Sequence, residues 1–425
     1  MTDLTTRFLS RLTSHTISGV ELFDGAIYPK YEDQSILNIP STICKWMNLP
    51  GLSTNPLNQD IISPLEGEVK RVILILLDGL QFDRFIRWSQ FTPIWNSLLK
   101  DGVLVPITSV VPSTTSSALT TLWTGVSPAS HGIIGYEMWL KEYSLVANMI
   151  THSPMTFKGS TDSLELAGFS PDSFLGFPTL GSHLHNNGVK TYSFTHYAIA
   201  HSGLSRMLME DVDIHPFQTP ASMWVSLRQL IEQKSEEKMY VWTYWGQLDG
   251  ISHYHGPDDE RVSAEFSHFS AAFEKFFLNT LRPDLKKGTI IILTADHGQT
   301  HTPLNPNQVL SNHPSLNKHL RINPTCENRF AFLHLRPGSE AAVRSYFDDT
   351  WPGRFTLISQ NEALDNHLFG PGPEHHDLRV RIGDLIAVAN DGAYLWWSDK
   401  QVFLIGRHGG MNPQDMLVPF MAFRL

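Results

Sequence analysis

Val72-Ile73-Leu74-Ile75-Leu76-Leu77 runs without a polar break from Lys70-Arg71 to Asp78-Gly79. Six apolar residues in a row predict a strand covered on both faces, as in a parallel sheet, because a half-exposed strand alternates instead. Strand-like runs of the same kind recur at residues 189–194, 239–244 and 289–293, and helix-like stretches at residues 221–233 and 263–281 lie between them. Strands alternating with helices predict an α/β fold: a doubly wound, mostly parallel central sheet with helices on both faces.

Outward from that core the character changes. Residues 1–70 are rich in Pro, Asn and Ser with little periodicity, and are expected to form an N-terminal extension packed on the core. Residues 301–400 carry frequent Pro, Asn and Gly, with short strand-like pieces at 329–335 and 394–397. They read as a smaller inserted cap, after which the chain rejoins the core near Val402. The catalytic core is therefore assigned to 71–300 and 401–425.

The 425 residues suffice for a large core, and 41% hydrophobic against 17% charged residues is a globular composition. A net charge of -10 argues against an extended nucleic-acid groove, which needs clustered Lys and Arg. It is compatible with a small phosphorylated substrate, because bound cations invert the local field. Cys44 and Cys326 are the only cysteines, so neither a disulfide framework nor a thiolate zinc site is expected. The longest apolar run is too short to span a bilayer, and the first residues show no apolar signal region, which gives a cytoplasmic expectation.

Ligands in open α/β sheets bind beyond the carboxyl ends of the strands. Asp78-Gly79 comes directly after the first run. Asp249 comes after the run at 239–244, with His253 one helical turn on; Ala295-Asp296-His297-Gly298 comes after the run at 289–293; Gly406-Arg407-His408-Gly409-Gly410 comes after the apolar residues 402–405. An Asp after a strand is ordinarily a turn former or helix cap, and an Asp-His pair one turn apart is ordinarily a surface pair. Those roles explain each site singly. Four strand ends that all deliver Asp, His or both are better explained by a metal, since carboxylate and imidazole are what zinc or manganese takes.

A second element is Ser113-Thr114-Thr115-Ser116-Ser117, ahead of a helical run with Ala118, Leu119, Leu122 and Trp123. An N-cap uses one or two hydroxyls, not five. A helix start also presents free N–H groups and a positive dipole end to a phosphate. A hydroxyl there needs a cation to deprotonate it. Residue type alone leaves Thr114 and Thr115 equally eligible.

Taken together these residues resemble the alkaline phosphatase superfamily, and within it the type I phosphodiesterase/nucleotide pyrophosphatase branch. Asp249 to Pro257 is similar to that branch's Asp-x-x-x-His followed by Gly-Pro, Thr294 to Gly298 to its Asp-His-Gly motif, and Arg407-His408-Gly409 to its last metal histidine. The resemblance implies an alkaline-phosphatase-like fold and two divalent ions, zinc or alternatively manganese. One ion is expected on Asp249, His253 and His408, the other on Asp78, Asp296, His297 and the nucleophile oxygen. Counting back from Thr124-Gly125 places the nucleophile on Thr115. Two positions depart from the branch: Ser116-Ser117-Ala118 replace its Phe-Pro-Asn, and Tyr136 stands where it carries an Asn that holds a phosphoryl oxygen.

The implied activity is hydrolysis of phosphodiester or nucleotide pyrophosphate bonds through a covalent phospho-threonine. Phosphomonoesterase, phosphonate hydrolase and phosphosugar mutase share the metal set, and a non-catalytic binding protein could keep the fold. A sulfatase is discounted, because Cys44-Lys45-Trp46-Met47-Asn48 lacks the Cys/Ser-x-Pro-x-Arg context. The cap residues His367, His375, His376, Arg379 and Arg381 are expected to be solvated.

Overall fold

The structure is a computed structural model that describes residues 3–156, 159–398 and 404–425. Seven strands build the main sheet: β1 (Arg71–Leu77), β2 (Gly102–Thr108), β3 (Lys190–His196), β4 (Val212–Phe217), β5 (Met239–Trp245), β6 (Thr289–Thr294) and β7 (Leu417–Arg424). Their spatial order is β2-β7-β6-β1-β5-β3-β4. β1 pairs in parallel with both β5 and β6, and all seven of its residues are buried, as its unbroken apolar run requires. β7 is the exception, antiparallel to both β2 and β6.

Helices cover both faces, and β5 shows why. Its even-numbered residues Tyr240 and Trp242 face α2 (Thr115–Thr124), where Trp123 meets Trp242 at a ring separation of 5.1 Å. On the opposite face Trp245 lies 6.4 Å from Phe269, against a helical pair formed by α3 (Pro220–Gln233) and α5 (Glu260–Phe273). Trp224 and Phe273 lock that pair at 4.7 Å. Between β5 and α5 runs α4 (Gln247–His255), which carries Asp249 and His253. The helix expected over residues 263–281 begins earlier, at Glu260, and closes in a π-helical turn at Glu274–Leu278.

Residues 1–70 are more regular than their composition suggested. Helix α1 (Asp3–Thr13) lies along edge strand β2, where the Thr5 hydroxyl donates to the Leu104 carbonyl at 2.6 Å. The Gln34 amide donates to the Phe8 and Pro106 carbonyls at 2.9 and 3.0 Å. These contacts cover a sheet edge that would otherwise present unpaired backbone groups.

A second, antiparallel sheet takes strands from two stretches of the chain. In spatial order they are Phe355–Ser359, Leu385–Ala389, Phe330–Leu333, Thr325–Glu327, Glu137–Leu140, Leu145–Asn148 and Ser153–Pro154. A cap confined to 301–400 thus omits the three strands of 137–154. Alternation along Phe330–Leu333 joins two cores: Phe330 and Phe332 pack into the main cluster, while Ala331 and Leu333 pack with Leu316, Phe347 and Trp351. The strand expected at 394–397 is absent, leaving one bridge between Val309 and Trp396. Val402 lies outside the described residues. No helix among the described residues is long and apolar enough to cross a membrane.

Candidate active site

Asp78, Asp249 and Asp296 all stand just beyond the carboxyl ends of neighbouring strands β1, β5 and β6. Gly79 adopts a φ of +75°, and a side chain there would meet the Asp249 backbone at 3.1 Å. The Asp-Gly pair thus lets α4 approach the end of β1 closely.

Six of the expected side chains gather into two adjoining clusters: Asp249, His253 and His408 in one, Asp78, Asp296 and His297 in the other. Within the first, His253 Nε2 lies 3.2 Å and His408 Nε2 3.9 Å from Asp249 carboxylate oxygens. Within the second, His297 Nε2 lies 3.5 Å from both Asp78 Oδ1 and Asp296 Oδ2. The clusters touch through His297 and His408, whose rings stack at 3.9 Å. His297 Nδ1 sits 3.0 Å from the Gly298 carbonyl and His253 Nδ1 2.9 Å from the Gly406 carbonyl. With Nδ1–H donating to a carbonyl, each ring turns its Nε2 into its cluster.

The electrostatics are those of carboxylates taken out of water. Burial, then the charges of Asp296 and Asp249, hold the Asp78 carboxyl well above its ordinary range, and burial also raises Asp296. Burial alone would raise Asp249 too, but His253 beside it outweighs burial and holds it low. The same pairing overcomes burial at His253 and lifts it to about 9. Burial, then His297, pushes His408 well below the usual imidazole range.

Asp78 Oδ1 and Asp296 Oδ2 are buried with no hydrogen-bond partner among the described residues. Buried anionic oxygens left bare are costly, and a divalent cation satisfies both at once. Carboxylate and imidazole donors without a thiolate suit zinc or manganese. The donor set therefore fits a metal.

The five hydroxyls at the start of α2 each have a separate partner. Ser113 donates to the Gly410 carbonyl at 2.8 Å, Ser116 to Gly135 at 2.8 Å and Ser117 to Ile133 at 2.7 Å. The Thr114 hydroxyl donates to Glu327 at 2.5 Å. The Thr115 hydroxyl lies 3.1 Å from His297 Nε2, so of the two threonines only Thr115 faces the clusters.

All of this opens onto a cleft of about 670 Å³, whose lining includes Thr115, Tyr136, Trp245, Glu327, Trp396 and Trp397. The Tyr136 hydroxyl accepts from the Asn148 amide at 2.6 Å. Burial and the charges of Glu137 and Glu327 push that phenol up to about 12, so it stays a neutral donor.

Three contributors were not foreseen. Gln299 donates to Asp249, and its place just after the Asp-His-Gly run was the available hint. The Tyr244 hydroxyl, near the end of β5, donates to Asp78. Glu327 comes from the small sheet with no motif around it. Of the cap residues, His375, His376 and Asp377 gather, but Lys141 and Arg381 already lie on Asp377, leaving a further cation little to neutralise. Arg381 is buried rather than solvated and donates to the Gly132 carbonyl at 2.8 Å.

A doubly wound sheet that delivers a hydroxyl and two Asp/His clusters to one cleft defines the alkaline-phosphatase-like hydrolases. The family model for type I phosphodiesterase / nucleotide pyrophosphatase matches residues 72–411, and the chain belongs to this family, an enzyme hydrolysing phosphate esters. It is 22% identical over 371 residues to human ectonucleotide pyrophosphatase/phosphodiesterase family member 5, covering 84% of this chain and 70% of that protein. The fold resembles murine ectonucleotide pyrophosphatase / phosphodiesterase 5 (TM-score 0.61, 20% identity, 84% of this chain and 88% of that one). An inactive variant of that murine protein is solved in complex with AMP. Phosphonoacetate hydrolase from Sinorhizobium meliloti 1021, bound to phosphonoformate, is alike to the same degree (TM-score 0.61, 17% identity, 84% and 90% coverage).

Proposed function

We propose that this enzyme is a two-metal phosphodiesterase acting on a small phosphorylated substrate through a phospho-threonine on Thr115. The observation that carries the reading is the Thr115 hydroxyl, 3.1 Å from His297 at the junction of the two clusters. Asp249, His253 and His408 would hold one divalent ion, and Asp78, Asp296, His297 and the Thr115 oxygen the other, with zinc expected and manganese the alternative. When bound, such ions lower the pKa of a coordinated hydroxyl and neutralise charge on the departing oxygen.

The Thr115 oxygen attacks phosphorus as its proton passes through solvent to the departing alcohol oxygen. A threonine–phosphorus ester bond forms, the bond to the leaving alcohol oxygen breaks, and the alcohol departs. Water then cleaves the phospho-threonine, returning the hydroxyl and releasing the second product. The N–H groups at the start of α2 and the neutral Tyr136 phenol hold the non-bridging oxygens. A tyrosine in that place puts a bulkier donor against the phosphoryl group than an asparagine, and it keeps a phosphonate substrate as the second reading.

The test is a panel of bis-p-nitrophenyl phosphate, p-nitrophenyl phosphate, a phosphonate monoester and a dinucleotide, run on chelated protein and on protein restored with zinc or manganese. Fastest turnover of the diester, only after restoration, is the expected result. Preference for the monoester or the phosphonate reassigns the substrate class, and full activity in the chelated protein ends the metal assignment.

A further inference from the structure

We infer that Glu327, contributed by the small sheet, is a positioning residue that keeps the start of α2 open for the substrate's phosphoryl oxygens. This rests on the reading above, in which those oxygens bind there. Thr114 occupies the N-cap of α2 with the extended backbone (φ -137°, ψ 148°) from which a threonine ordinarily accepts a hydrogen bond from the N–H two or three residues on. Here it makes no such bond. Its hydroxyl instead donates to Glu327 at 2.5 Å. That contact takes the Thr114 hydroxyl toward the small sheet and leaves the helix amides without a side-chain cap.

The neighbouring hydroxyls cannot replace it. Ser113, Ser116 and Ser117 are committed to backbone carbonyls at Gly410, Gly135 and Ile133. The first turn of α2 therefore keeps the N–H groups that every helix start leaves without an intrahelical partner. Glu327 is itself held in place. Gly409 has a φ of +98°, and a side chain there would stand 2.5 Å from the Glu327 Cβ, so glycine beside His408 is what admits the carboxylate.

The contact is isolated by comparing two variants, because glutamine keeps an acceptor for Thr114 whereas alanine keeps none. Inorganic phosphate titrated calorimetrically into the zinc-restored full chain provides the readout. E327A should bind phosphate about fivefold more weakly than E327Q, the worth of a cap bond that now competes for the same amides. T114V/E327A, which has no hydroxyl to cap with, should return to the E327Q affinity. Equal affinities for E327A and E327Q, or a double variant that stays weak, overturns the role. Should E327A not fold, E327M fills the same space without an acceptor and is read the same way. Wild-type protein that hydrolyses no ester in the panel removes the functional reading, whereas the order of phosphate affinities decides Glu327 by itself.

Discussion

The main sheet and the small sheet meet the cleft on different terms. Beyond β1, β5 and β6, short backbone segments place Asp78, Asp249 and Asp296 in one cluster region, and the histidines there are braced through Nδ1 by the Gly298 and Gly406 carbonyls. The small sheet and its loops supply Tyr136, Glu327, Trp396 and Trp397, which line the cleft without entering either cluster. The cluster carboxylates are held at strand ends in register, where small displacements are resisted by the whole sheet. The other cleft-lining groups come from a short-stranded sheet that packs one face on the main core and the other on a smaller one. Under the proposed function, chemistry falls to the first set of residues and selectivity to the second.

The strongest way to break this division is at the nucleophile. T115A should lower turnover of the diester by roughly 10⁴-fold or more while leaving bound metal unchanged. Near wild-type rates would move the chemistry elsewhere. H297A, in contrast, should lose metal, seen as a drop in zinc per chain by elemental analysis, with a loss of activity that added zinc restores only in part. Unchanged occupancy would take His297 off the ligand set.

On the small-sheet side the effects should be milder. Y136F should raise KM about fivefold and change kcat less, the signature of one lost hydrogen bond to a bound oxygen. A collapse in kcat equal to that of T115A would erase the proposed distinction between the layers.

The smallest effect lies in the support behind α4. Arg84 pairs with Asp258 at 3.2 Å and donates to the Gln299 carbonyl at 2.7 Å, and Gln299 in turn holds Asp249. Burial would raise Asp258, but Arg84 and then Arg87 outweigh it and hold the carboxyl at about 2. A depressed folded pKa gives stability that is present above the unfolded value near 3.9 and lost as pH falls through 2. D258N should therefore lower stability at pH 6 by about 0.5–1 kcal/mol, since the carboxylate is half exposed, and by much less at pH 2, where half of the carboxylates are protonated. Denaturant melts at the two pH values read the difference, and an equal loss at both would assign the effect to packing.

Sequence by itself determined four of the seven strands of the central α/β sheet and the six cluster residues. Continuous apolar runs of this kind make strands buried on both faces, and the residues that leave the carboxyl ends of parallel strands are confined to one edge of the sheet. Asp78, Asp249, His253, Asp296 and His297 were therefore legible from local order. His408 was legible from its glycine-flanked motif. Residue type left Thr114 and Thr115 equivalent, and family register favoured Thr115. The tertiary structure separates their hydroxyls, one turned to Glu327 and the other to His297.

The small sheet was legible only in fragments. Its strands at 137–154 and 325–389 are short and join across nearly two hundred residues, and a two- to five-residue strand has no periodicity to read until its partner is known. For the same reason Glu327 carried no signal. It sits in a three-residue strand, and its meaning comes from two neighbours: Thr114, more than two hundred positions away, and a glycine beside His408 that leaves it room.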